Sequence, residues 1–199
     1  MIKKERVLIL RLIKHGEADL VVHALNRQGA RIGFFAKAGL KSKKRFGGGV
    51  LEPTHYVEVS YKDRSGEEGD KLRTLLEAQL IQSFNGLREN YDRLKTALYF
   101  LKVISKISQE GAVDSHGMFD LLGNALRAAE ASADIEKLKL HFEIKVLDSQ
   151  GVLPQLPSAD AWVGKPLSEH ASINMDRESL RRLEWDVHHG LEAYLAGEA

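Results

Sequence analysis

Lys41, Lys43, Lys44 and Arg45 place four cations within five positions, followed at once by Phe46 and by Gly47, Gly48 and Gly49. No apolar period runs through this stretch, so it reads as a solvated basic loop. Clustered cations repel one another and are relieved by a polyanion that sheds counterions on contact. The chemistry implied is neutralisation of phosphates; the plain alternative is solubilising charge on a long hairpin. Phe46 has two readings: its ring stacks on a nucleobase, or it anchors the loop to the structure beneath. Arg27, Arg31 and Lys37 on neighbouring strands extend the cationic set.

The formal net charge of +1 conceals an uneven distribution. Residues 1–62 hold thirteen lysines and arginines against five acids, and the rest hold sixteen against twenty-three. A basic N-terminal third therefore precedes an acidic remainder, which suits a nucleic-acid face on one part and protein contacts on the other.

Other chemistry is not supported. Gly33 and Gly39 are one residue too far apart for a phosphate-binding loop, and Leu40 stands where its lysine is needed. Neither a nucleophile elbow, a His-Glu-x-x-His helix nor a dinucleotide fingerprint occurs. His188 and His189 are adjacent and point to different sides of a helix, and His141 and Glu143 read as helix-surface residues. Cysteine is absent, which excludes disulfides and thiolate metal sites. The expectation is a binding protein, with no catalytic residue, cofactor or metal. The apolar run Val7 to Leu10 is too short for a leader or a membrane span, which points to the cytoplasm.

The elements that must position the cations follow from period. Residues 7–13, 18–26, 31–38, 50–61 and 72–81 read as strands, with Gly29 serving a tight turn, Pro53 at a strand start or edge, and a polar loop at Asp63 to Asp70. One of Phe34 and Phe35 must face inward. Five short strands in about 80 residues suit an oligonucleotide-binding (OB) barrel. From Leu87 the period changes to three and four: one helix runs to about Gln109 and is stopped by Gly111, a second is capped by Asp114 or Ser115, a third starts at Ser132 or Asp134, and a last spans about Asp176 to Ala196. The fold class expected is α+β: a five-stranded OB barrel over 1–82, then an all-α helical domain over 83–199 with an irregular loop at about 152–175.

The ordered set Gly16-Glu17-Ala18-Asp19, Gln28-Gly29-Ala30-Arg31-Ile32, Phe35-Ala36-Lys37-Ala38-Gly39, Lys43-Lys44-Arg45-Phe46-Gly47-Gly48, Leu51-Glu52-Pro53 and Leu75-Leu76-Glu77-Ala78-Gln79-Leu80 resembles the RecO recombination mediator family. Tyr99-Phe100-Leu101, Phe119-Asp120-Leu121-Leu122 and Phe142 to Gly151, with Pro154 after them, continue the likeness to about residue 157. The resemblance implies DNA repair and recombination: binding of single- and double-stranded DNA, annealing of complementary strands, partnership with RecR, engagement of the acidic tail of the single-stranded DNA-binding protein (SSB), and indirect help in loading RecA, in the cytoplasm at the nucleoid. Lys102, Lys106 and Arg127 are cations that could receive an acidic peptide, the plain alternative being the charges that surface helices commonly carry. The DNA-binding set expected is Arg27, Arg31, Lys37, Lys41, Lys43, Lys44, Arg45 and Phe46. Residue chemistry alone leaves an RNA- or ribosome-associated OB adaptor as the alternative. Many members of the family carry a four-cysteine zinc module after the proline matching Pro154; here Pro154 to Ser172 has none, and packing of Trp162 is expected to hold that loop instead.

Overall fold

The computed structural model describes residues 1–62, 72–108 and 117–197. The expected polar loop at Asp63 to Asp70, the helix end at Gln109 with its Gly111 stop, and the caps at Asp114 and Ser115 lie outside the described residues. The chain divides into two compact units, one of Met1–Phe84 with Ile104–Asp120 and one of Asn85–Val103 with Leu121–Ala199.

In the first unit, strands β1 (Ile2–His15), β2 (Asp19–Asn26), β3 (Arg31–Ala36), β4 (Tyr56–Lys62) and β5 (Leu72–Gln82) close into a barrel in the order β1-β2-β3-β5-β4. β1 exceeds the 7–13 expected from its apolar run because it serves two partners, β4 along residues 2–8 and β2 along 7–15. Its polar ends are held by ladder hydrogen bonds, which apolar patterning does not report. Alternation sends Val7, Ile9, Val22, Ala24, Ile32, Phe34, Val57 and Val59 into the core. A register shift between Ile9 and Arg11 reverses the parity of β1, so that Leu12 packs inward while Arg11, Ile13 and His15 turn outward. At the β2–β3 turn Gly29 takes φ 79°, and Asn26 Oδ1 accepts from the Ala30 N–H at 2.8 Å. Glu5 clasps two strands there, accepting from Asn26 Nδ2 and from the Tyr61 hydroxyl, each at 3.0 Å.

β4 begins at Tyr56 rather than at Val50. The preceding residues turn instead: buried Thr54 has φ 78°, its N–H donates to the Ile9 carbonyl at 3.0 Å, and the Ile9 N–H returns a bond to the His55 carbonyl at 2.9 Å. Pro53 accordingly precedes the strand.

The second unit is helical. A 3-10 turn at Asn85–Glu89 precedes the first long helix, and Asn90 Oδ1 accepts from the Asp92 and Arg93 N–H groups at 2.9 and 3.1 Å, starting that helix later than Leu87. Besides a four-residue helix α1 (Lys43–Phe46) in the barrel unit, the chain forms α2 (Tyr91–Ile107), α3 (Met118–Ala131), α4 (Ile135–Ser149), α5 (Asp160–Val163) and α6 (Arg177–Ala196). Asp134 caps α4 through Lys137 N–H, and Asp176 caps α6 through the N–H groups of Glu178 and Ser179. The Arg93 guanidinium donates to the Glu130 and Ser132 carbonyls at the end of α3, where the helix dipole favours a cation. Phe100 and Phe142 meet at 4.1 Å between ring centroids.

Glu143 is buried, not at the helix surface. Burial pushes its carboxyl up, opposed by the Tyr99 hydroxyl that donates to it at 2.5 Å and by Lys139. The stretch expected to be irregular contains 3-10 turns at Pro157–Ala159 and Leu167–Ser172 with α5 between them. Trp162 is fully buried, lies edge to face with His141 at 5.5 Å, and its carbonyl accepts from His141 Nε2 at 2.8 Å. Lys145 adds a bond to the Val163 carbonyl. No described helix is long and apolar enough to cross a membrane.

Candidate nucleic-acid interface

The outward side of β1, β2 and β3 brings together residues that are far apart in the chain. Val21 is paired with both Ile13 and Phe35, and His23 with both Arg11 and Gly33. Phe34 takes the core and Phe35 the outer surface, half-buried. His15, exposed, meets the Phe35 ring edge to face at 5.8 Å. The result is an aromatic platform edged by Arg11 and the two histidines.

The basic stretch starts directly beyond it. Ala38 N–H donates to Asp19 Oδ1 at 2.6 Å and Leu40 N–H to the Ala18 carbonyl at 2.9 Å, which ties residues 38–40 to the β1–β2 turn. Lys37, Lys41, Lys43 and Lys44 are exposed from there onward. The stretch is not a fully solvated loop, because α1 and a 3-10 turn at Gly47–Gly49 shape it.

Phe46 follows the anchoring alternative: it is 6% exposed and joins the barrel core with Leu51, so its ring offers no stacking surface. Arg45 is half-buried over that ring at 5.1 Å, and donates to the Lys37 carbonyl at 2.7 Å and to Ser42 Oγ at 3.1 Å. It braces the turn.

Arg27 and Arg31 do not join this cluster. The eight residues of β2, about 26 Å at the usual strand rise, run between Arg27 and the β1–β2 turn. Arg27 is exposed at the β2–β3 turn, while Arg31 donates to the Ser105 carbonyl at 3.0 Å. Sequence reasoning missed Arg11, His15 and His23 because only the bulge in β1 and the pairing across β2 put them on one face. Their signal was faint: a lone Arg11 interrupting an apolar run.

A closed five-stranded barrel followed by helices is the architecture of an OB-type barrel joined to a helical domain. Residues 1–84 match the model of the Recombination protein O N terminal and residues 88–175 that of the Recombination protein O C terminal. The DNA repair protein RecO of Anaeromyxobacter dehalogenans is 29% identical over 161 residues, covering 81% of this chain and 61% of that protein. RecO of Rubrobacter xylanophilus is 30% identical over 155 residues, 77% and 59% of the two chains, and that of Maridesulfovibrio salexigens 30% over 184 residues, 90% and 72%. The chain belongs to the RecO family. It spans 61% and 59% of the length of the first two of these relatives.

The residues present do not fit the zinc module of that family. The chain has no cysteine. His170 has both ring nitrogens engaged, Nδ1 donating to the Leu167 carbonyl and Nε2 2.8 Å from Ser132 Oγ. Asp160 is exposed in the first turn of α5. Among the described residues no group of three histidine or carboxylate side chains could hold a metal. Apolar burial of Trp162, with His141 and Lys145 on the adjacent carbonyls, occupies this stretch instead.

Within the helical unit a groove of about 710 Å³ runs between α3 and the turn after α5, lined by Leu121, Ala128, Ala131 and Leu167 with Arg127 and Lys145 among them. Lys102 and Lys106 do not line it.

Proposed function

We propose that the protein is a DNA repair and recombination mediator that binds single- and double-stranded DNA and anneals complementary strands in the cytoplasm, at the nucleoid. The observation that carries this reading is the outward Phe35 platform, with His15 against it and Lys37, Lys41, Lys43 and Lys44 beside it. A base stacks on Phe35 while the lysines track the phosphates. Such contacts read backbone and ring faces, so binding is tolerant of sequence and sensitive to salt. The anchored turn presents its lysines from a fixed base and needs less ordering on contact than a free loop.

Annealing follows from charge. Two strands repel until their phosphates are neutralised, and exposed lysines supply that neutralisation without locking either strand. No titrating group on the platform is required for a chemical step, so binding rather than catalysis is the activity proposed. RecR is the partner assigned for RecA loading. The groove beside α3 is the place we propose for the acidic SSB tail, with Arg127 on its lining to meet the tail's carboxylates.

The test is annealing of complementary oligonucleotides coated with their cognate SSB, with RecR present and absent. Acceleration that falls as salt rises is expected. A preference for RNA over DNA of matched sequence, or no acceleration, overturns the reading.

A further inference from the structure

The parity change in β1 distributes its cations over two faces of the barrel. Before the bulge Lys4 and Arg6 point outward in the β1–β4 ladder, opposite Ser60 and Glu58, and Lys62 stands opposite Ile2. Arg27 joins them because Asn26 pairs with Val7, which sets the β2–β3 turn beside Arg6. Lys4, Arg6, Arg27 and Gln28 line a concavity of about 310 Å³ together with Glu5 and Glu58. Glu5 is turned toward Asn26 and Tyr61, and Glu58 lies 3.4 Å from Arg6 Nε across the ladder. Lys4, Arg27 and Lys62 are exposed. Among the described residues of this face, four cations stand against two outward acids, Glu58 and Glu77, the latter opposite Ser60.

This face is not an extension of the Phe35 platform. Leu8 and Leu25, paired and on the outer side of their strands, lie between the two and are 2% and 0% exposed. Arg31, opposite Leu25, is directed to the Ser105 carbonyl. A covered apolar strip therefore separates two cationic surfaces. A flexible strand crossing that strip would leave both phosphate tracks, whereas two strands can each keep to one.

We infer that the outward β1–β4 face is a second phosphate-binding site, formed by Lys4, Arg6, Arg27 and Lys62, which takes the backbone of one single strand while the Phe35 platform holds another. The inference rests on the nucleic-acid-binding reading of the barrel and explains how one chain brings two strands together. Tyr56, on the outward side of β4 opposite Leu8, is half-buried and meets Phe119 at 5.7 Å between ring centroids, so the second site holds a strand by charge and leaves its bases open for pairing.

The experiment uses the full chain and labelled oligothymidylates of about six nucleotides, within the range one OB barrel covers. Saturation at two strands per chain is expected. The Lys4→Gln/Arg27→Gln/Lys62→Gln variant should saturate at one, with its thermal unfolding unchanged and its annealing lost while the remaining strand stays bound. The Lys41→Ala/Lys43→Ala/Lys44→Ala variant should weaken the other strand and leave the second site filled. Saturation of the wild type at one strand per chain, or unchanged stoichiometry in the glutamine variant, overturns the second site and leaves the first intact. Absence of any bound strand in the wild type instead overturns the DNA-binding reading itself.

Discussion

Phe35 and His15 meet edge to face, ring centroids 5.8 Å apart, on the outward side of strands whose inward side is the barrel core. The contact holds the Phe35 ring in place from one edge. Its neighbour Phe34 is fully buried against Tyr61 at 5.2 Å, so two adjacent rings serve opposite purposes.

Phe35→Ala should therefore weaken single-strand binding without unfolding the barrel. A stacked base is worth about 1–3 kcal/mol, or roughly five- to 150-fold in affinity. Fluorescence titration of an oligonucleotide together with a thermal melt checks this; a variant that binds as the parent does removes the platform from the site.

Phe46→Ala should do the reverse. Loss of a buried phenylalanine costs about 3–5 kcal/mol, and here it also frees the turn from Leu40 to Val50. Urea unfolding should show the lower midpoint, and limited proteolysis should cut after the lysines at 41, 43 and 44.

Lys41, Lys43 and Lys44 should be separable from Arg45. Alanine at the three lysines is expected to flatten the dependence of log affinity on log salt by about 0.7 for each phosphate contact removed, with stability intact. Arg45→Ala removes the bonds to the Lys37 carbonyl and Ser42 Oγ and should cost about 1–3 kcal/mol of stability. Equal effects of both variants on stability would contradict the bracing role.

Acid should loosen the helical unit through His141. Burial lowers its pKa to about 4, below the ordinary 6.5 of the unfolded chain. The unfolded state thus binds the proton first, so the penalty is absent above pH 6.5, grows as pH falls, and levels off below about 4. The loss is on the order of 2–3 kcal/mol across that window. Urea midpoints measured from pH 7 to 4 should decline less in His141→Asn than in the parent; parallel declines would refute the assignment.

Much of this protein was legible in the order of its residues. The change from period two to period three and four at about Leu87 marks where strands give way to helices, because alternation and helical repeat are imposed by backbone geometry. The excess of cations before residue 63 is a property of composition. The helix starts expected at Ser132 or Asp134 and at about Asp176 fall at Asp134 and Asp176, since a cap is a local interaction.

What only the tertiary structure decided is which side of the barrel each group occupies. Whether Phe34 or Phe35 faces out, and whether Phe46 stacks or anchors, depends on which face closes into the core. The bulge between Ile9 and Arg11 then sends cations of one strand to two surfaces, and pairing across β2 parts Arg27 from the lysines with which it shares a charge. Glu143 shows the same limit in the helices, where contacts with Tyr99 and Lys139 accompany a burial that charge alone argues against. Local sequence specifies period and charge; direction and burial arise from contacts between residues distant in the chain, and those exist only once the barrel has closed and the helices have packed.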